Sequence, residues 1–310
     1  MLLAETKPLV VLVGPTAVGK TETSLLLAER LNAEIVSADS RLFYRGMDIG
    51  AAKPTPAERA RVPHHLIDVA DPDQVWSLAL FQQAATEAIA GIHARQRLPL
   101  LVGGTGQYVR AITDGWSPPP AAPDPRLRAA LEAWAGQVTP QGLHDRLRRI
   151  DPAAAALIDP SNVRRTVRAF EVIFSTGHLF SQQRQRGPSP YRVLLLGLTR
   201  PRQELYARVD ARIQAMLEAG FVDEVRGLLA RGYSPQLPAM SAIGYQQIAA
   251  ALRGELTLDE AVVLIKRLTR QFVRRQANWF KPGDAAIHWF TAQDGVAVEM
   301  EAFIRRWLVE

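Results

Sequence analysis

Cysteine is absent from this 310-residue chain, which removes disulfides and thiolate metal sites from consideration. Long apolar runs are lacking too: residues 9–13 have the length of a buried strand, far short of a membrane span. No basic-then-apolar leader opens the sequence, so the cytoplasm is the expected location and no membrane partner is expected. Internal repeats and low-complexity segments are missing apart from one proline-rich stretch. What remains is ordinary for a globular protein, 47% hydrophobic and 22% charged, and long enough for one large α/β domain or two smaller ones.

A more local absence carries more. Between Lys266 and Lys281 there is no acidic residue, while Lys266, Arg267, Arg270, Arg274, Arg275 and Lys281 are all basic. On a helix, Lys266, Arg270 and Arg274 share one face. Arg164, Arg165 and Arg168 form a second basic cluster, and Arg184, Arg186 and Arg192 a third. With a net charge of +6, this pattern makes nucleic acid a candidate partner.

Residues Gly14, Pro15, Thr16, Ala17, Val18, Gly19, Lys20 and Thr21 match the phosphate-binding pattern G-x-x-x-x-G-K-[ST] in full. The context also fits, with an apolar strand before the loop and a helix-forming run over 21–31 after it. Loop and helix N–H groups then converge on phosphate oxygens, Lys20 adds a point charge, and the Thr21 hydroxyl suits Mg²⁺. Alone, the loop fits a kinase or ATPase as well as any other phosphate enzyme.

Strand and helix then alternate. Residues 33–37 form a strand ending in Ala38, Asp39 and Ser40. A helix runs from Ser77 to about Arg95, and the strand 98–102 leads into Gly103, Gly104, Thr105 and Gly106. This rhythm predicts an α/β fold, a parallel sheet flanked by helices with ligands at its carboxyl edge. Asp39, Ser40 and Thr105 are therefore site candidates by position. Phosphoryl-transfer enzymes commonly end a second strand in a metal-orienting acid. Residues 98–102 end in glycines instead, which leaves Asp39 as the acid nearest the loop, a base or a metal-orienting group.

The rhythm breaks in the proline-rich stretch 117–123. From 124 to about 185 the sequence reads as helical only, with starts at Pro140 and Pro152 and a helix from near Asn162 to Gly177. A second break at 187–190 returns to a buried strand, 191–198. The expected organisation is a catalytic core of residues 1–117 and 191–310, with a helical insertion domain at 118–190 hinged at the breaks. Helices at 201–218, 221–231 and 257–280, a strand at 286–290 and a terminal helix complete it. Trp116, Trp134, Trp289 and Trp307 read as packing residues.

Several tracts resemble the signature motifs of the tRNA dimethylallyltransferases. They are SADSRLFYRGMDIGAAKP (37–54), PHHLID (63–68), GGTG with Tyr108 (103–108), SAIGY (241–245) and TRQFVRRQANWFK (269–281). With the phosphate loop they span residues 14–281 in the family's order. Departures are small: Ala51 for threonine, Leu42 for glutamine and Gln107 for leucine.

The resemblance implies a P-loop NTPase-like core that moves a dimethylallyl group from dimethylallyl diphosphate to the exocyclic amine of the adenine 3′ of a tRNA anticodon. Residues 14–21 would hold the diphosphate with Mg²⁺ at Thr21, while Lys20 and Arg212 stabilise its leaving charge. Asp39 would be the general base, and Thr105 would position amine or diphosphate. Contacts with the tRNA anticodon stem-loop are implied for Asp39, Ser40, Arg41, Leu42 and Thr105, and for Arg128, Arg164, Arg165, Thr166, Val167 and Arg168. Further contacts are implied for Ser241, Ala242, Ile243, Gly244, Tyr245 and Gln246, and for Arg274, Arg275, Gln276, Ala277, Asn278, Trp279, Phe280 and Lys281. A monomer is expected. The rivals are a small-molecule or nucleoside kinase and a non-catalytic RNA-binding module.

Overall fold

A computed structural model describes residues 7–117, 124–183, 185–186 and 189–310. Of the expected proline breaks at 117–123 and 187–190, residues 118–123 and 187–188 lie outside the described residues, as does Arg184, and nothing is described of the Arg186 side chain. The chain divides into two compact units, Met1–Thr113 with Ser189–Glu310, and Asp114–Pro188. The sequence places these boundaries a few residues later, at 117/118 and 190/191.

The first unit opens with β1 (Lys7–Val13), α1 (Lys20–Leu31), β2 (Ala33–Ser37), α2 (Pro56–Arg61), β3 (His64–His65), α3 (Leu78–Ala94), β4 (Leu98–Gly103) and α4 (Gly106–Thr113). In the second unit are β5 (Trp116–Ser117), α5 (Pro125–Gln137), α6 (Pro140–Ile150), α7 (Pro152–Ala156), α8 (Val163–Thr176) and β6 (Gln185–Arg186). The first unit resumes with β7 (Tyr191–Thr199), α9 (Arg202–Glu218), α10 (Phe221–Ala230), α11 (Tyr245–Leu252), α12 (Leu258–Gln276), β8 (Ile287–Thr291) and α13 (Val296–Val309).

Six strands form one parallel sheet in the order β3-β2-β4-β1-β7-β8. Leu9 to Val13 of β1 have no exposed surface, as expected of a central strand covered by helices on both faces. Register fixes the site. Val13 lies beside Gly103 and Gly197, and Ser37 beside Val102, so the turns after β1, β2 and β4 leave one edge together. Gly14 is required there: its φ is +150°, and a Cβ would stand 2.7 Å from the Leu198 carbonyl oxygen.

The second unit packs α5, α6, α7 and α8 around Leu131, Leu143, Leu147, Ile158 and Phe170. Asp124, Thr139, Asp151 and Asn162 each cap a helix through their side chains, and Pro125, Pro140 and Pro152 occupy first turns. Trp134 meets Phe170 edge-on at 5.2 Å.

Three expectations need correction. The helix placed at 257–280 ends at Gln276, so Ala277, Asn278 and Trp279 form a turn and Phe280 and Lys281 continue irregularly beyond it. The segment read as helical only ends in the short strand β6, which pairs antiparallel with β5. Helices α2 and α11 went unforeseen. Among the described residues, no helix is long and apolar enough to cross a membrane.

Candidate functional site

The phosphate loop is shaped by its backbone. Ala17 and Gly19 adopt left-handed φ values of 66° and 117°, which turns successive loop N–H groups the same way at the start of α1. Lys20 folds back over the loop, its ammonium donating to the Gly14 and Pro15 carbonyls, both at 2.9 Å. Burial pulls the Lys20 pKa down to about 8, with Asp39 opposing that fall and Arg212 reinforcing it. Burial also lowers the Arg212 pKa, again opposed by Asp39. Lys20, Arg212 and Asp39, from α1, α9 and the turn after β2, thus share one electrostatic site. Two cations flank one carboxylate, and the balance favours an incoming anion.

Asp39 is held by its own turn. The Arg41 N–H donates to its Oδ1 at 3.0 Å, and the Leu42 N–H to its carbonyl at 3.2 Å. The Ser40 N–H donates to the Thr105 hydroxyl at 3.3 Å, joining the β2 and β4 turns. Gly103 permits this approach, since a Cβ there would lie 2.3 Å from the Ala38 carbonyl oxygen. Beneath these turns Tyr108 stacks on Phe81 with ring centroids 4.3 Å apart, and burial pushes its phenol up to about 12. Arg212 also lines a cleft of about 380 Å³ with Ile49, Lys53, Arg59, Ala215 and Met216. Lys53 is 2% exposed there and paired with Asp48 at 2.6 Å and Asp68 at 2.5 Å.

The residues expected to meet RNA separate by exposure. Ser241, Gln246, Arg274, Arg275, Ala277, Asn278, Trp279, Lys281 and Arg164 are exposed. Ser40, Arg41, Leu42, Thr105, Ile243, Arg165 and Arg168 are half-buried, and Arg128 keeps 38% of its side chain exposed. Ala242, Gly244, Tyr245, Gln276, Phe280, Thr166 and Val167 are buried, so their side chains present almost no surface to a partner. Tyr245 is the clearest case: its hydroxyl donates to Glu224 at 2.6 Å, and the same carboxylate accepts the N–H groups of Asp48, Ile49 and Gly50. Arg41 reaches the Ser241 hydroxyl at 3.4 Å, joining two of the expected contact stretches.

The basic clusters are less bare than the sequence suggests. Arg270 pairs with Asp210 of α9 and lies over Tyr206, so this arginine of the basic run is already neutralised. Arg192 stacks on Trp307, 4.2 Å from the ring centroid. Within the second unit, Arg128 and Arg168 converge on Glu171 at 2.5 and 2.6 Å. Arg164 and Arg165 have no ion-pair partner among the described residues.

Two loop-holding groups escaped the sequence reading. The Arg208 Nε donates to the Ala17 carbonyl at 2.8 Å, and the Arg200 Nε to that of Val18 at 3.4 Å. Arg200 follows β7 directly, so its place beside the carboxyl edge was available as a signal.

A model of the IPP transferase family matches residues 42–283, most of the chain. The chain belongs to this family. IPP transferases are prenyl-transferring enzymes, and the kinase alternative gives way to that class. A relative named tRNA dimethylallyltransferase from Roseiflexus sp. is 56% identical over 274 residues, 88% of this chain and 90% of the relative. One of the same name from Dehalococcoides mccartyi is 45% identical over 303 residues, 98% of this chain and 93% of the relative. Among solved structures, the tRNA isopentenylpyrophosphate transferase of Bacillus halodurans is 44% identical, with a TM-score of 0.73 over 97% of this chain and 96% of that one. A eukaryotic dimethylallyltransferase acting on tRNA superposes with a TM-score of 0.81 at 26% identity, over 97% of this chain and 78% of that one. The fold is the P-loop NTPase-like fold of these IPP transferases: the parallel sheet flanked by helices agrees with the strand rhythm, and the P-loop type with the family resemblance.

Proposed function

We propose that the chain is a tRNA dimethylallyltransferase. It moves a dimethylallyl group from dimethylallyl diphosphate to the exocyclic amine of the adenine 3′ of the anticodon and releases diphosphate. The observation that carries this reading is that the Asp39 charge lies close enough to Lys20 and Arg212, at the phosphate loop, to act on both, with glycines and no acid ending β4. That arrangement suits breaking a carbon–oxygen bond better than passing on a phosphoryl group.

The amine nitrogen forms a bond to the terminal allylic carbon as that carbon's bond to oxygen breaks, and the electron pair leaves on the diphosphate. Loop N–H groups, Lys20 and Arg212 stabilise that growing charge. The attacking amine is weak because its lone pair is delocalised into the purine. Asp39 accepts the proton it must lose, held by the Arg41 N–H at an angle set by its own turn. Thr105, hydrogen-bonded to the same turn, positions the amine or the diphosphate. Thr21 is exposed, and its hydroxyl would hold Mg²⁺, which would supply further neutralisation of the diphosphate charge. The cleft beside Arg212, with apolar walls from Ile49, Ala215 and Met216, would take the prenyl end, with the diphosphate on residues 14–21. The adenine must leave its stack to reach Asp39. Arg164, Arg274, Arg275, Trp279 and Lys281, which are exposed, and Arg165, which is half-buried, are the groups that would grip phosphates and stack on loop bases. The enzyme works as a cytoplasmic monomer in this reading.

The test is transfer of labelled dimethylallyl diphosphate to unmodified tRNA by wild type and Asp39→Ala. Transfer by wild type with a loss of about a hundredfold or more in the variant is expected. Unimpaired transfer by the variant removes Asp39 as base, and no transfer by wild type removes the function.

A further inference from the structure

Gln276 is placed unlike its neighbours. Arg274, Arg275, Ala277 and Asn278 are exposed, whereas the Gln276 side chain turns inward and is 5% exposed. Both ends of its amide are engaged. Oε1 accepts the Thr16 N–H at 2.9 Å, and Nε2 donates to the Gly104 carbonyl at 3.2 Å. One side chain thus ties the loop carrying Lys20 to the turn carrying Thr105. The turn is cut to receive it, since a Cβ on Gly104 would lie 2.3 Å from Nε2. Trp279 covers Gly106 in the same manner, with its ring 2.2 Å from where a Cβ would be. A glutamine amide suits the task because it offers acceptor and donor on one rigid plane.

We propose that Gln276 is a positioning residue and not an RNA contact: it fixes the spacing between the diphosphate cradle and the Thr105–Asp39 side of the site. This rests on the prenyl-transfer reading above. The brace continues from Gly104 through Thr105 to the Ser40 N–H, and so to the turn that aims Asp39. Displacement at carbon needs nucleophile, carbon and leaving oxygen in line, and an error of about 1 Å costs on the order of a hundredfold in rate. With the brace cut, the cradle keeps its charge but loses its register. The loss then falls on kcat and on the KM for prenyl diphosphate, and tRNA affinity is spared.

Two variants cut the brace by different routes. Gln276→Leu removes the amide at similar volume, and Gly104→Ala displaces Nε2 while keeping the glutamine. For each, three quantities are measured: steady-state transfer, the Kd for tRNA, and amide hydrogen exchange at Thr16. The expected result is a fall in kcat of roughly ten- to a hundredfold with tRNA Kd within about twofold of wild type. Exchange at Thr16 speeds up at least about tenfold while β1 amides are unchanged. The double variant is no worse than the poorer single one, because both remove the same interaction. Gln276→Glu, which keeps an acceptor for Thr16, recovers part of its protection. A raised tRNA Kd with kcat intact overturns the proposal in favour of RNA contact, and unchanged exchange at Thr16 overturns it outright. Absence of transfer by wild type instead sinks the prenyl-transfer reading, while Thr16 exchange still decides the brace.

Discussion

Arg128 of α5 and Glu171 of α8 are joined at 2.5 Å, with the carboxylate fully buried and Arg168 closing on the same oxygen at 2.6 Å. Two residues expected to grip RNA therefore also hold their own unit together. Burial alone would raise the Glu171 carboxyl pKa, but the two arginines outweigh it and hold it below the ordinary value of 4.5.

Glu171→Ala is expected to destabilise the second unit by about 1–3 kcal/mol, less than for a fully buried pair because both arginines can be rehydrated. The sign with pH follows from the lowered value. Glu171's contribution is complete above its unfolded pKa and is lost as pH falls through the folded one. Thermal melts at pH 7 and pH 3 check this: the gap between wild type and Glu171→Ala should narrow at the lower pH.

Lys20 should give the site an alkaline limit. With a folded pKa of about 8, it loses its charge just where most lysines still keep theirs. The affinity for dimethylallyl diphosphate is expected to fall by up to about tenfold per pH unit above pH 8. Titrations at pH 7 and pH 9 test this, and in Lys20→Met the dependence should flatten at a uniformly weaker affinity. Stability moves the other way: between about pH 8 and 10.5 the unfolded chain holds the extra proton, so the fold gains as pH rises through that window.

Arg165 has no ion-pair partner among the described residues, so its charge is available to a phosphate. Arg165→Ala is expected to weaken tRNA binding and to reduce the slope of log K against log salt by about 0.7–1. Diphosphate affinity should stay nearly constant. Binding titrations at several salt concentrations measure both effects.

The local features were legible. Glycine loop, strand ends and helix caps depend on neighbours in sequence, and Thr55 with Glu58 even forms a readable capping box that marks the overlooked α2. Charge was harder, because neutralisation happens through space. Asp210 lies 60 positions from Arg270, so a count of acids within the basic run could not find it. The sequence runs α12 four residues too far because Ala277, Asn278, Trp279 and Phe280 carry no glycine or proline, and the stop signal of Pro282 and Gly283 comes only after them. Gln276 was read with its neighbours because nothing in one dimension shows that a side chain turns inward to Thr16.

The strand order also has a cost during synthesis. β1 pairs on one side with β4 and on the other with β7, with Lys7 beside Tyr191, so its second partner emerges roughly 180 residues after it. At about 5–20 residues per second that edge of an otherwise apolar strand waits on the order of 10–40 s. The nascent chain is therefore exposed to wrong partners for longer than the small second unit needs to fold, and chaperone demand should peak before residue 191 leaves the ribosome.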